Sequence, residues 1–298
     1  MMLLTHALAA LAIAQTPPPP AQANPAPPPS PADPLPQDWK PIPADELMVM
    51  TLADNRQVVI RLAPGFAPEH VANIRALAKA GWWNGESVYR VQENWVAQWG
   101  DPTEKKPLPP GIKKLPAAEY EIAAFTPAAR LTKPDPRASA AGFTADGWPV
   151  ASDGKAAWVP HCYGMVGVAR DQNPDTGTGA ELFTPIGQSA RRLDRNYTVV
   201  GRIIEGMKYL SALPRSDAPM GVYAEAAERT PIVSVQLASD MPELTRPRFE
   251  YRSPANPRFA AALELRENPA PPMVGGGGAE VCEVNLAARR VAGSPGAK

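Results

Sequence analysis

The chain has 298 residues, 44% of them hydrophobic, enough for one large domain with a substantial core or for two small ones. Lys plus Arg and Asp plus Glu number 30 each, so the formal net charge is zero. No global field draws in nucleic acid or an anionic membrane, which argues against both as partners.

The first residues, MMLLTHALAALAIA, form a short apolar run with small residues, followed by Ala-x-Ala sites at Ala12-Ile13-Ala14 and Ala21-Gln22-Ala23. This pattern reads as a secretory signal peptide over residues 1–23. Its leading residues carry no Lys or Arg, so a disordered cytosolic N-terminus stays open as the alternative. No other run approaches the roughly 18 apolar residues that cross a bilayer. No cysteine adjoins a cleavage site to take a lipid anchor, and export would end in a bacterial periplasm. About a third of the 38 prolines crowd into residues 16–43. Such a tract excludes helix and central strand and predicts an extended spacer over residues 24–43. No basic residue flanks the core of the tract, so a plain spacer is preferred to a ligand for proline-binding partners.

ELMVMTLADNRQVVIRLAP reads as two strands joined at Ala53-Asp54-Asn55-Arg56, with Val58, Ile60 and Leu62 alternating against Gln57, Val59 and Arg61. APEHVANIRALAKAGWW predicts a helix of about three turns. Pro68 suits its first turn, Val71, Ile74, Leu77 and Ala78 share one face, and Gly81 stops it, but it lacks a good side-chain N-cap. VYRVQENWVAQWGD, residues 88–101, is an apolar and aromatic strand signal interrupted by Arg90, a charge that needs a partner or a task there.

Residues 102–160 are rich in Pro, Gly, Ala and Lys, and only EYEIAAF resembles a strand. The reading is a functional loop or an insertion, with disorder as the alternative. CYGMVGVAR, TVVGRIIEGM and TPIVSVQLA read as strands, and GMKYLSALP as a short helix stopped by Pro214. Many strands with two short helices predict a β-rich domain, barrel or sandwich, over residues 44–241. Residues 242–298 hold the apolar island FAAALEL, a GGGG linker and a possible strand at EVCEVNLAA, and read as an extension packed on the core or partly disordered. The two cysteines, Cys162 and Cys282, either pair, with a typical stabilisation of about 2–4 kcal/mol, or stay as buried thiols.

Most catalytic constellations are missing. The three histidines are His6 in the leader, His70 on the first helix, expected to be solvated, and His161 before a strand. H-x-x-x-H, C-x-x-C, G-x-S-x-G and Walker-type loops do not occur, so no metal and no cofactor are expected. Rotation about an X–Pro bond needs none of these. Amide resonance sets its barrier at about 18–20 kcal/mol and no bond breaks. A fixed guanidinium that hydrogen-bonds the prolyl nitrogen favours the twisted state, and an apolar pocket holds the pyrrolidine ring.

The order of segments resembles the cyclophilin family of peptidyl-prolyl cis-trans isomerases. The family's A-P-x-x-x-x-N-F is matched by APEHVANI, and its Gly-x-x-(F/Y)-x-R-V segment ending in Q-x-G-D by GESVYRVQENWVAQWGD. GMVGVARDQNPDTGTGAELFTPIG echoes G-x-x-(S/G)-M-A-R…S-Q-F-F-I, and LDRNYTVVGRIIEGM meets L-D…V-x-G-x-V-x-x-G-M. The resemblance spans residues 47–237 in the family's order. It implies a closed eight-stranded antiparallel barrel capped by two helices, no cofactor, and Pro-containing polypeptides as substrates.

By that resemblance Arg90 falls on the catalytic arginine and Gln98 on the glutamine that helps hold it. Trp95 stands at the usual pocket Phe, Val96 at the usual Met, and Ala169 keeps a small residue beside the peptide groove. Phe183 keeps the pocket floor, Leu193 the pocket leucine, and Tyr197 stands where many members have His or Tyr. Two departures matter. Glu181 replaces a glutamine and is expected near Arg90, to orient it or to compete with substrate, a pairing of roughly 4 kcal/mol of Coulomb energy at about 4 Å before desolvation. Arg192, or Arg191 if the alignment slips by one, replaces the Trp that many members use to bind cyclosporin, so an inhibition titration is expected to show weak inhibition. The leading reading is a periplasmic prolyl isomerase acting on exported proteins. The alternative is a binding protein or chaperone on the same barrel, with Arg90 captured by Glu181.

Overall fold

The computed structural model describes residues 30–272, 274 and 277–296. The expected leader, residues 1–23, and residues 24–29 of the spacer lie outside the described residues. In chain order the elements are β1 (Trp39–Pro41), β2 (Leu47–Leu52), β3 (Gln57–Leu62), α1 (Pro68–Lys79), β4 (Ser87–Val91) and β5 (Val96–Gly100). β6 (Ile122–Ala123), β7 (Ala129–Arg130), β8 (Ala140–Phe143), β9 (Pro149–Ser152) and β10 (Ala156–Trp158) follow. Then come β11 (Met165–Val168), β12 (Leu182–Pro185), β13 (Val199–Glu205), α2 (Met207–Ser211), β14 (Thr230–Leu237), β15 (Phe249–Arg252), α3 (Pro257–Glu267) and β16 (Ala288–Arg290).

Eight strands close an antiparallel barrel in the order β11-β12-β5-β4-β14-β2-β3-β13. The period-2 rule shows why β2 and β3 are apolar on both faces. Met48, Met50, Leu52, Val58, Ile60 and Leu62 fill the barrel interior. The alternate set Leu47, Val49 and Val59 packs with Ile42 and Phe249, where a second layer lies on the barrel. That layer is a three-stranded sheet in the order β1-β15-β16. β1 is therefore an edge strand inside the tract read as a spacer, a place where Pro41 costs no ladder bond. Asp38, just before it, is buried and accepts from the Arg258 guanidinium at 2.6 and 3.1 Å.

α1 buries Val71, Ile74, Leu77 and Ala78 in the barrel core, as its spacing predicts. Its missing N-cap is supplied from far along the chain. The Glu119 carboxylate accepts the backbone N–H groups of Glu69 and His70 at 2.8 and 3.0 Å. The same carboxylate lies 2.7 Å from His70 Nδ1, and His70 Nε2 is 3.1 Å from the Thr176 carbonyl. His70 is fully buried, not solvated: the helix dips this face under residues 117–119 and 176.

Residues 102–160 differ most from the sequence reading. They contain a five-stranded sheet in the order β6-β10-β9-β8-β7. Its strands are two to four residues long, too short to print a periodicity, and only β6 falls within EYEIAAF. One side of this sheet is covered by α3, where Phe259 and Leu263 pack against Ala129, Leu131, Ala141 and Phe143. The apolar island FAAALEL is thus helical, with Pro257 in the first turn and Asn256 Oδ1 accepting Phe259 N–H at 2.9 Å. EVCEVNLAA is mostly not strand, because residues 281–283 make a tight turn and β16 begins only at Ala288. The cysteines pair: a disulfide joins Cys162 to Cys282, with Cα atoms 5.1 Å apart.

Candidate active site

A row of outward-facing residues crosses four barrel strands. Arg90 of β4 pairs with Gln98 of β5, Gln98 with Phe183 of β12, and Phe183 with Gly167 of β11. Directly opposed residues share a face, so these side chains stand on one side of the sheet. Their sequence neighbours Val91, Ala97, Trp99, Leu182, Val166 and Val168 point the other way, into the barrel core. At about 4.8 Å per strand, Arg90 and Phe183 stand about 10 Å apart. A Cβ on Gly167 would meet the Phe183 ring at 2.4 Å. The ring lies flat on that strand only because glycine leaves room.

A β-bulge shapes the arginine end of the row. The β4–β5 register shifts between Val88 and Arg90, which leaves Tyr89 as an extra residue. Consecutive strand residues normally point to opposite faces, yet here both reach one amide. Arg90 Nη1 donates to Gln98 Oε1 at 3.0 Å, and Gln98 Nε2 donates to the Tyr89 hydroxyl at 2.5 Å. Arg90 Nη2 donates to Gln92 Oε1 at 2.8 Å, and Nε to the Met220 carbonyl at 2.7 Å. Met220 has φ 60° and is 66% exposed beside the arginine. Three of the five guanidinium N–H donors are used, and one on each Nη remains. Burial pulls the Arg90 pKa below its ordinary value, against the influence of Tyr89 and Tyr197.

Glu181 does not take Arg90, contrary to the expectation from sequence. Its Oε2 accepts the Tyr89 hydroxyl at 2.8 Å and its Oε1 accepts Asp101 N–H at 2.6 Å. Tyr89 and Gln98 therefore stand between the carboxylate and the guanidinium. Gly100 makes this possible: its φ is 145°, and a Cβ there would meet the Glu181 carboxyl at 2.1 Å. Burial pushes the Glu181 pKa up to about 8, despite the hydrogen bonds from Tyr89 and Asp101. The Tyr89 phenol is also raised, by burial first and then by the Glu181 charge.

The other predicted residues surround Phe183. Val96, on the same strand and face as Gln98, is 2% exposed. Tyr197 meets Phe183 edge-on at 5.9 Å, and His161 stacks on it at 6.0 Å with 6° between planes. Leu193 lies half-buried in the turn Arg191–Leu193, and its carbonyl accepts Tyr197 N–H at 3.2 Å. The two arginines that could stand at the family's Trp position are placed differently. Arg192 is exposed and sits 4.1 Å over the half-buried Trp95 ring, whereas Arg191 is buried. Ala169 and Glu181 line a neighbouring cavity of about 310 Å³ with Asp101, Glu104, Asp171 and Asp175. Tyr89, His161, Gly167 and Met220 were missed from the sequence. Only Tyr89 carried a signal, a hydroxyl placed directly before the one arginine of its strand.

The family model for cyclophilin type peptidyl-prolyl cis-trans isomerases matches residues 47–237, well over half of the chain. The chain belongs to the cyclophilin family. It is an isomerase of that class, whose substrates are Pro-containing polypeptides. Proteins named probable peptidyl-prolyl cis-trans isomerase from Brucella suis and Brucella abortus are 28% and 27% identical to this cyclophilin over 178 residues, 59% of this chain and 76% of theirs. The crystal structure of cyclophilin AquaCyp293 from Hirschia baltica is similar with a TM-score of 0.66 and 23% identity, covering 85% of this chain and 93% of that one. That share exceeds the span of residues 47–237, so the likeness in fold reaches beyond the barrel. Among the described residues, no helix is long and apolar enough to cross a membrane, and no group of three or more His, Cys, Asp or Glu is placed to hold a metal ion.

Proposed function

We propose that Arg90 is the catalytic residue of this cyclophilin and that the Phe183 pocket holds the substrate proline. The observation that carries this is the pair of unused Nη donors on a guanidinium whose other three are fixed by Gln98, Gln92 and Met220. In the planar X–Pro amide the nitrogen lone pair is delocalised and accepts no hydrogen bond. On twisting, it localises on nitrogen and becomes an acceptor for Arg90. The interaction thus strengthens toward the transition state, the requirement for raising kcat. Val96, Phe183, Leu193 and Tyr197 hold the ring, Trp95 with Arg192 forms the rim, and Ala169 and Glu181 border the adjoining cavity. Gln98 acts on Arg90 and Tyr89 acts on Gln98. The binding-only alternative rested on Glu181 capturing Arg90, and the Glu181 contacts to Tyr89 and Asp101 remove that support.

The test is the cis-to-trans exchange rate of a short X–Pro peptide, read by NMR or a protease-coupled assay. Arg90→Ala is expected to lower kcat/KM by about 10²–10³-fold while the melting temperature stays near that of the wild type. Equal rates for the two proteins refute the role of Arg90.

We also propose that the protein acts on exported polypeptides in a periplasm. The leader-like residues 1–23 support this, as does the disulfide, which persists in oxidising compartments. N-terminal sequencing of the protein from a periplasmic fraction is expected to start after Ala14 or Ala23. Full-length protein confined to the cytosol excludes the proposal.

A further inference from the structure

The segments outside the barrel meet the proline pocket at one buried arginine. The Arg191 side chain is 2% exposed. Its Nη1 and Nη2 donate to the two carboxylate oxygens of Asp135 at 3.0 and 3.2 Å, a two-pronged pair. Nη1 also donates to Glu280 Oε1 at 2.7 Å, and Nε to Asp194 Oδ2 at 2.6 Å. Asp135 lies between β7 and β8. Glu280 lies two residues before the disulfide-bonded Cys282. Neither belongs to the barrel. Burial works against the Arg191 charge, but Asp135 and Asp194 more than restore it, and its pKa stands above the ordinary value.

From Asp194 the network runs beneath the pocket floor. Asp194 Oδ1 accepts His161 N–H at 2.9 Å and faces its Nδ1 at 3.4 Å, and the His161 ring stacks on Phe183. Arg191 and Asp194 thus bracket Leu193, whose carbonyl in turn holds Tyr197 against Phe183. The pocket wall and floor hang from this one cluster of charges, half of which comes from outside the barrel.

We infer that Arg191 and Glu280 are positioning residues: the insertion and the C-terminal segment set the geometry of Leu193 and Phe183, and thereby how tightly the proline ring is held. This rests on reading the Phe183 row as the peptide site. The pocket grips the ring in the planar and twisted states alike, so its loosening raises KM and leaves kcat. Loss of the Arg90 contact does the opposite.

The test uses the full chain with Glu280→Gln, a substitution at a side chain 29% exposed and therefore tolerated by the fold. The dissociation constant of an Ala-Pro peptide is measured by NMR titration, alongside KM and kcat from exchange. The dissociation constant and KM are expected to rise about threefold to tenfold while kcat stays within about twofold of the wild type. Glu280→Asp, which keeps the carboxylate, should recover part of the loss. Cys282→Ser, which unties the same segment, should act in the same direction, and the double variant should lose less than the product of the single losses. Unchanged binding in Glu280→Gln, or a fall in kcat at unchanged KM, overturns the inference. Wild type that binds without turnover ends the catalytic reading and leaves the dissociation constants to decide this one. Wild type with no measurable binding overturns both.

Discussion

At the scale of single residues, the site is a line of four side chains, Arg90, Gln98, Tyr89 and Glu181, linked by three hydrogen bonds. The far end of that line is a titrating group. The ordinary value for the Glu181 carboxyl is 4.5, and burial pushes it up to about 8 in the folded protein. Between those values the folded protein keeps a proton that the unfolded chain has released. The contribution to stability is therefore full below about 4.5 and lost as pH rises through about 8. Glu181→Gln, which cannot ionise, is expected to flatten this part of the profile. Urea midpoints of the two proteins from about pH 5 to pH 9 check it, and an identical decline in both sinks the assignment. That Arg90 lies beside Gln98, with Phe183 on the adjoining strand and Tyr197 packed against it, was legible because motifs in the right order carried these residues. The Glu181 partnership was not, because one extra residue in β4 and the open space at Gly100 decide where the carboxylate goes. Neither is visible as a pattern of residue types.

Among the elements, strands of the barrel were legible where they ran for five or more residues, either as an apolar run, as in β2, or with alternation, as in β3 and β14. β6 was legible only as part of EYEIAAF, and the two-residue strand β7 was not, since it exists only through its neighbour in the sheet. The same dependence explains α1. Its own sequence lacks a cap, and Glu119, about 50 residues away, supplies one from the insertion. Glu119→Ala frees two helix amides and a buried imidazole partner together. A loss of about 2 kcal/mol is expected in urea unfolding. A loss below about 0.5 kcal/mol, the level of an ordinary surface change, would show that the cap contributes nothing.

For the whole molecule, the disulfide spans 120 residues of sequence and ties the strand region of β11 to the C-terminal segment. Closing a loop of that length restricts the unfolded chain strongly, and removing the bond by Cys282→Ser is expected to lower stability by about 2–4 kcal/mol. Unfolding curves of the wild type with and without reductant should differ by the same amount. Equal curves would mean that the bond leaves the unfolded ensemble unconstrained.

The three-stranded sheet gives the fold a temporal order. β1 precedes every barrel strand in the chain, but its partner β15 and the outer strand β16 follow all of them. A polypeptide that emerges N-terminus first shows β1 long before anything exists to pair with it. The eight barrel strands, complete at Leu237, can close while that strand waits. β1 finds its partner only when Phe249–Arg252 has been made, and Ala288–Arg290 completes the sheet later still, so the first of the described strands to appear is seated after every barrel strand has been made.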